Sequence, residues 1–161
     1  MAIIYPTVES VLETYERTVA VSGGGMVGVR DDGPLQGTLG NIQNDDYYPT
    51  FERKLTRLCF GLSKFHCFVD GNKRIAITAT SLMLMLNGYM AIVPRFMRDM
   101  ENIVVCVAED IIDEDFLHDI ICAHTAFDPD NESVKLRVLE ALLEVEAREK
   151  ERQERDRANA Q

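Results

Sequence analysis

The chain has 161 residues, of which 46% are hydrophobic and 27% charged, and its 27 acidic and 17 basic residues give a formal net charge of −10. The length predicts one main domain, and a hydrophobic fraction near that of globular proteins excludes wholesale disorder. The excess of negative charge argues against general binding to duplex nucleic acid or to an anionic membrane surface, since both interactions need cations on the protein.

The N-terminus and the cysteines predict a cytoplasmic protein. The first ten residues lack the basic region and the apolar stretch of a signal peptide. The chain has four cysteines, which are Cys59, Cys67, Cys106 and Cys122. They form no CxxC pair and no disulfide-rich pattern, so we expect reduced thiols. The uncharged stretch 75–93 is as long as a bilayer span, but Asn87-Gly88 is a helix stop, which predicts a buried helix and no membrane span.

Hydrophobic residues recur at three- and four-residue steps, which predicts a mainly helical fold. The first helix begins after Thr7, a suitable N-cap. Its apolar stripe consists of Val8, Val11, Leu12, Tyr15 and Val19. A glycine-rich stretch, 22–25, and a polar region with turn signals at Asp32-Gly33-Pro34 and Gly37 follow, up to Pro49. Loops of this length are usually functional or carry a small hairpin.

Four helices are predicted after this region. Thr50 can cap a helix that runs to about Lys64, with the stripe Phe51, Leu55, Leu58, Cys59 and Leu62. An apolar helix over 72–86 ends at Gly88. Pro94 suits the first turn of the next helix, whose inward residues we expect to be Phe96, Met97, Met100, Ile103, Val104 and Val107. Asp113 then caps a short helix that carries Phe116, Leu117, Ile120 and Ile121.

The segment 129–161 is predicted to be a charged C-terminal helix or tail, separate from a catalytic domain that spans 1–128. Its apolar residues are Val134, Val138, Leu139, Leu142, Leu143 and Val145. The sixteen residues that follow have no large apolar side chain. We therefore expect the second half of this segment to be solvated or partly disordered, with a partner-binding arm as the alternative.

The run FHCFVDGNKR, residues 65–74, is predicted to lead from a short loop into the N-terminus of the most apolar helix. Gly71 permits a close backbone approach at this point. The N–H groups of a first helical turn bind anions, and Lys73 and Arg74 add full positive charges there. Asn72 can donate or accept a hydrogen bond. The net positive charge of 51–75, with six basic and two acidic residues, also indicates a local anion site such as one for nucleotide phosphates.

Two side chains just before this helix complete a set of catalytic groups. Asp70 supplies a hard oxygen ligand of the kind that Mg²⁺ prefers. His66 can accept a proton near neutral pH and so activate an incoming hydroxyl group. An anion cradle, a metal ligand and a base this close in sequence are typical of a phosphoryl or nucleotidyl transferase.

The order of these residues, His66-x-Phe68-x-Asp70-Gly71-Asn72-Lys73-Arg74, closely resembles the active-site signature of the Fic/Doc family. The resemblance covers about residues 5–125. It implies an all-α fold, a Fic/Doc helical domain with a small flap segment before the active-site helix pair. The polar stretch of about 31–48 falls where the family has this flap, which aligns an extended target segment by strand addition.

The resemblance also implies roles for the residues of the motif. His66 would be the general base that deprotonates a hydroxyl of a target protein, and Asp70 would hold Mg²⁺. Residues 71–74 would bind the phosphates of ATP, and a buried Phe68 would fix the loop. The catalytic set implied in this way is His66, Asp70, Lys73 and Arg74, and the nucleotide-binding set is Gly71, Asn72, Lys73 and Arg74.

Two positions resemble the Doc branch of the family. Where the Fic branch has a second glycine this chain has Lys73, and where that branch has a second arginine it has Ile77. A lysine side chain crowds the backbone nest for one phosphate, and the missing arginine removes a bidentate clamp. Gly71 is more typical of the Fic branch, which keeps nucleotide transfer as an alternative.

The resemblance therefore implies a Doc-like toxin that transfers the γ-phosphate of ATP to a protein hydroxyl and blocks translation. Its target by resemblance is elongation factor Tu, and a separate antitoxin protein would neutralise it. No Glu follows any Ser or Thr at the fourth position, so the self-inhibitory helix of some Fic proteins is not supported. The alternatives are a Fic-type AMP transferase and a non-catalytic member that acts through protein binding.

A second group of candidate metal ligands lies near the end of the main domain. His118, Cys122 and His124 fall within seven residues of one another. A fourth zinc ligand with suitable spacing is missing, so we expect structural roles for all three side chains.

Overall fold

The computed structural model describes residues 2–21, 28, 33–64 and 71–160. These ranges form the α-helices α1 (Val8–Val21), α2 (Gly33–Asn41), α3 (Phe51–Lys64), α4 (Asn72–Leu86), α5 (Val93–Ala108), α6 (Glu114–Thr125) and α7 (Glu132–Asn159). A 3₁₀ turn, Met90–Ile92, precedes α5. No strand occurs in the described ranges, and the predicted all-α fold is confirmed.

The bundle is built around α3 and α4, which pack against each other. Helices α1 and α5 flank α4, and α2, α5 and α6 contact α3. The core side chains of the central pair that are shielded completely from solvent include Leu55, Leu58, Leu62, Ile75 and Met83. As predicted, the apolar stretch from residue 75 is a central helix; it is largely buried up to Leu84, whereas Met85 and Leu86 are exposed. None of the helices in the described part of the chain has the length and hydrophobicity that a bilayer crossing requires.

The predicted helix starts agree with the structure at three places. Thr7, Thr50 and Asp113 each accept a hydrogen bond from the backbone N–H three residues later, at 3.1, 3.2 and 2.8 Å. These caps satisfy N–H groups that have no acceptor within the helix. The local sequence therefore determines where α1, α3 and α6 begin.

The predicted end of α4 at Gly88 is also confirmed. Gly88 has a positive φ of 87°, which a glycine adopts without steric cost. The N–H of Tyr89 donates to the carbonyl oxygen of Leu84 at 2.9 Å, and the N–H of Gly88 donates to that of Met85 at 3.2 Å. These two bonds form a Schellman motif. The motif turns the chain back on itself, so α5 runs antiparallel to α4.

The region predicted as a polar loop contains a helix, α2. Leu35, Leu39 and Ile42 are buried against the bundle, and this burial outweighs the turn signals around Gly33. Pro34 lies in the first turn, where a helix loses no hydrogen bond to a proline. The described residues of the expected flap, 33–48, contain no strand; its first residues and the glycine-rich stretch 22–25 lie outside the described part of the chain.

The prediction that Met97 of α5 lies in the core is wrong. Met97 is 37% exposed, whereas Phe96, Met100, Ile103, Val104 and Val107 are buried as expected. The buried stripe of α5 also includes Val93 and Cys106. Because this stripe follows three- and four-residue steps from Val93, it leaves position 97 at the edge of the packed face.

Helix α7 is continuous for 28 residues. Ion pairs join the chain just before it to the start of α5 and its second half to the end of α5, so the two helices run in the same direction. Its inner face packs Val134, Val138, Ala141, Leu142 and Val145 against the core. Near the start of α5, Asp130 binds both Arg95 and Lys135. Near the end of α5, Arg152 binds Glu109. The described residues after Arg152 are exposed, and the domain boundary near 128 stays a prediction.

A buried lysine anchors the α2–α3 connection to α3. The ammonium group of Lys54 donates to the carbonyl oxygen of Ile42 at 2.9 Å and to Oδ1 of Asp45 at 2.7 Å. It also lies 5.6 Å from the centre of the Tyr5 ring. Burial lowers the pKa of Lys54, but the hydrogen bonds with Asp45 and Tyr5 outweigh this effect and leave the pKa above its usual value.

Replacing Lys54 by methionine, which has a similar shape, should lower the free energy of unfolding by about 1–3 kcal/mol. The substitution leaves the buried carbonyl of Ile42 without its donor. Urea denaturation monitored by circular dichroism measures the change. Arg17→Met is the matched control, because Arg17 forms an exposed pair with Glu13, and it should change stability by less than about 0.5 kcal/mol. Equal losses in the two variants would contradict this role for Lys54.

Candidate active site

Gly71 fixes the way in which α4 begins. It has φ 79° and ψ 15°, a left-handed conformation that side chains disfavour. A Cβ atom at this position would lie 3.4 Å from Cε2 of Tyr15 and 3.6 Å from Cγ2 of Val19. Both contacts belong to buried side chains of α1. The start of α4 is therefore seated closely against α1.

The backbone at this point is the start of an α-helix, a feature that favours negatively charged groups. The N–H of Ile75 donates to the carbonyl oxygen of Gly71 at 2.9 Å, which is the first hydrogen bond of the helix. The N–H groups before it belong to the turn whose donors have no acceptor within an α-helix. Gly71 brings no side chain that could cap them. Together with the helix dipole, this turn attracts a negatively charged group.

The side chains of the first turn divide between solvent and core. Lys73 and Arg74 are exposed, and Asn72 is half-buried. The next three residues, Ile75 to Ile77, are buried. The predicted phosphate-binding residues Gly71, Asn72, Lys73 and Arg74 are thus brought together at the solvent end of a buried helix. His66, Phe68 and Asp70 lie outside the described residues.

The hydroxyl groups of two threonines link the same turn to α1. Thr78 Oγ1 donates to the carbonyl oxygen of Arg74 at 2.9 Å. Thr18 Oγ1 lies 3.5 Å from Thr78 Oγ1, at the interface of α1 with α4. This link and the seat at Gly71 hold the first turn in place before any ligand binds.

Two acidic residues at the end of α5, Glu109 and Asp110, lie at the same end of the bundle. Asp110 forms an ion pair with Lys64, the last residue of α3. A hydrogen bond from Arg152 holds the pKa of Glu109 below its usual value, against the effect of burial, and the charge of Lys73 acts in the same direction. Lys73 is therefore within electrostatic range of Glu109.

Sequence reasoning missed this acidic pair. Glu109 and Asp110 belong to a long acidic stretch that gave no sign of a site. The signal that points to them is the short connection between α4 and α5. An antiparallel helix pair brings the end of its second helix beside the start of its first.

The other two histidines make packing contacts between helices. Nδ1 of His118 lies 3.2 Å from Thr56 Oγ1, and Nε2 lies 3.4 Å from Cys122 Sγ. His124 is buried, with its ring edge-on to Phe96. Burial lowers the pKa of both imidazoles. Both histidines therefore fill and join helix interfaces.

Residues 5–84 match the family model described as Fic/DOC family. The match confirms the predicted resemblance over these residues, which include the motif, and it does not separate the Doc branch from the rest of the family. Members of the family are typically transferases that use a nucleotide to modify proteins. No curated protein and no solved structure matches the chain significantly.

The left-handed backbone at Gly71 should make Gly71→Ala destabilising by about 1–2 kcal/mol. Gly88→Ala should lower the stability by a similar amount, because Gly88 has a comparable φ. Unlike Gly71, Gly88 has no atom within 4 Å of the added Cβ, so this variant measures the effect of the backbone conformation alone. Thermal and urea denaturation measure both changes.

Gly37→Ala is the control within a helix. Gly37 also has open space around its Cβ position, without a positive φ, so alanine should stabilise α2 by up to about 1 kcal/mol. A loss at Gly71 that is several times the loss at Gly88 would show that contact with α1, and not backbone conformation, governs the site.

Proposed function

We propose that this chain, with its Fic/DOC family match over 5–84, transfers the γ-phosphate of ATP to a hydroxyl group of a target protein. The observation that best supports the proposal is the start of α4. Gly71 begins the helix in a left-handed conformation without a capping side chain, and exposed Lys73 and Arg74 follow it. This combination suits a ligand with several negative charges.

The buried body of α4 supports tight binding at its first turn. Because Ile75 and Ala76 are completely buried, the helix start is held rigidly by the core. Donors that are held in place before the ligand arrives need no reorganisation during the reaction. In our proposal, residues 71–74 therefore hold the phosphates of ATP, with Arg74 and Lys73 supplying full positive charges.

In the proposed reaction, His66 accepts the proton of the target hydroxyl. The hydroxyl oxygen forms a bond to the γ-phosphorus, and the bond from this phosphorus to the β–γ bridging oxygen breaks. ADP leaves with that electron pair. The first turn of α4 and Arg74 stabilise the negative charge on the transferred group. A Mg²⁺ ion held by Asp70 would neutralise phosphate charge.

Positions 73 and 77 favour phosphate transfer over AMP transfer in this proposal. Lys73 is exposed at the helix start, and in this proposal its side chain would limit the space for one phosphate. Ile77 is 8% exposed and packs into the core, so position 77 offers no second cation to the phosphates. Fic-type AMP transfer is the second candidate, and the glycine at position 71 is the feature that favours it.

The biological setting is proposed from the Doc resemblance. The chain would act in the cytoplasm as a toxin of a toxin–antitoxin system. Its target by resemblance is elongation factor Tu, whose modification would block translation. A separate antitoxin protein would restrain it, and we propose no role for nucleic acid or membrane. A non-catalytic member that acts through protein binding is the remaining alternative.

Incubation with ATP labelled at either the α or the γ phosphate tests the reaction directly. Elongation factor Tu and a cell extract serve as acceptors, and γ-label should enter protein while α-label does not. His66→Ala should lower the rate by about 10²–10⁴, because the general base is lost. His118→Ala is the matched control and should retain transfer. Incorporation of α-label alone would support AMP transfer, and unchanged labelling by His66→Ala would contradict the proposed base.

Lys73→Gly tests whether the lysine side chain sets the orientation of the nucleotide. Opening the nest should raise the proportion of AMP transfer relative to phosphate transfer, measured with the same two labels. Lys73→Arg keeps a long side chain and the positive charge, so it should retain γ-phosphate transfer. An unchanged γ-phosphate product from Lys73→Gly would mean that another residue determines the orientation.

A further inference from the structure

Helix α5 ends in two carboxylates, Glu109 and Asp110, which we call the acidic corner. The connection from α4 to α5 is short, and the two helices pack antiparallel. The acidic corner therefore lies at the end of the bundle where α4 begins. Asp110 adopts a positive φ of 60°, which marks the point where the chain leaves α5.

Carboxylates in this place oppose the binding of phosphates. A negative charge near the first turn of α4 repels a polyphosphate. It also attracts the ammonium group of Lys73, which has no ion-pair partner among the described residues. A free Glu109 would therefore compete with the nucleotide for the same cation.

Each carboxylate of the acidic corner is bound by a cation from another helix. Lys64 of α3 pairs with Asp110. Arg152 of α7 binds both carboxylate oxygens of Glu109, at 3.3 Å from Nη1 and 2.5 Å from Nη2. One turn earlier, Arg148 Nη1 donates to the backbone carbonyl of Glu109 at 2.9 Å. Two arginines of α7 thus bind both the side chain and the backbone carbonyl of Glu109 at the end of α5.

We propose that Arg152 is a positioning residue for nucleotide binding, because its pairing with Glu109 leaves Lys73 available to the phosphates. The proposal rests on the proposed function, since it concerns the same anion site. It assigns a role to the charged second half of α7, which the sequence left open. Arg152 does not touch the nucleotide in this proposal, and it acts only through Glu109.

Arg152→Gln should weaken the binding of ATP about twofold to fivefold at low ionic strength, which is the range for one solvent-screened charge pair. The loss should shrink as salt is added. The double variant E109Q/R152Q should recover wild-type affinity, because the competing carboxylate is gone. Glu109→Gln alone should bind ATP at least as tightly as the wild type. Isothermal titration calorimetry with ATP gives all four dissociation constants.

The matched control is Arg155→Gln, because Arg155 lies on the same helix and its Nε donates to the backbone carbonyl oxygen of Glu151 within α7. It should bind ATP as the wild type does. If Arg152 merely held α7 in place, Glu109→Gln would weaken binding as much as Arg152→Gln, and the double variant would not recover. Either that result or wild-type affinity for Arg152→Gln would overturn the proposal.

A measurement without nucleotide separates this proposal from the proposed function. If the wild type does not bind ATP, the proposed function fails. The pairing of Lys73 with Glu109, on which the positioning role rests, is then tested by the pKa of Glu109, measured by carbon-13 NMR in the variants R152Q and R152Q/K73A. If Lys73 takes over the pairing with Glu109, this pKa is lower in R152Q than in the double variant. Equal values would overturn the positioning role.

Discussion

The left-handed backbone at Gly71, where α4 lies against α1, is the constraint on which the rest of the site depends. A side chain at position 71 would have to adopt a left-handed backbone conformation beside Tyr15 and Val19. With glycine there, the helix starts at a defined place, and the buried residues that follow hold it in the core. In our proposal the same few residues serve folding and anion binding, because a rigid helix start is required for both.

Most of the fold could be predicted from local sequence. Threonine and aspartate caps and the glycine at position 88 mark helix ends through contacts within a few residues, so a single sequence contains the necessary information. Helix α2 could not be predicted in this way. A Gly-Pro pair is typical of a turn, and only the burial of Leu35 and Leu39 against other helices favours the helix. The exposure of Met97 likewise depends on which edge of α5 the neighbouring helices cover.

Only part of the candidate site could likewise be predicted from local sequence. The residues of the motif are adjacent in sequence, so Gly71, Lys73 and Arg74 could be assigned to one helix start before the fold was known. Glu109 and Arg152 reach this place from distant parts of the chain, through an antiparallel helix pair and a long parallel helix. Electrostatic neighbours of this kind depend on tertiary packing, which residue spacing does not reveal.

Ion pairs join α7 to α5 at two places, and these two places differ in what sequence changes there would affect. Its apolar face and the pair at Asp130 attach the helix to the bundle near the start of α5, while Arg152 acts near the end of α5. In our proposal, charge changes in the last turns of α7 therefore alter the electrostatic environment of Lys73 without disturbing the core. If the proposed function holds, selection could adjust nucleotide binding through α7 and leave residues 71–74 unchanged.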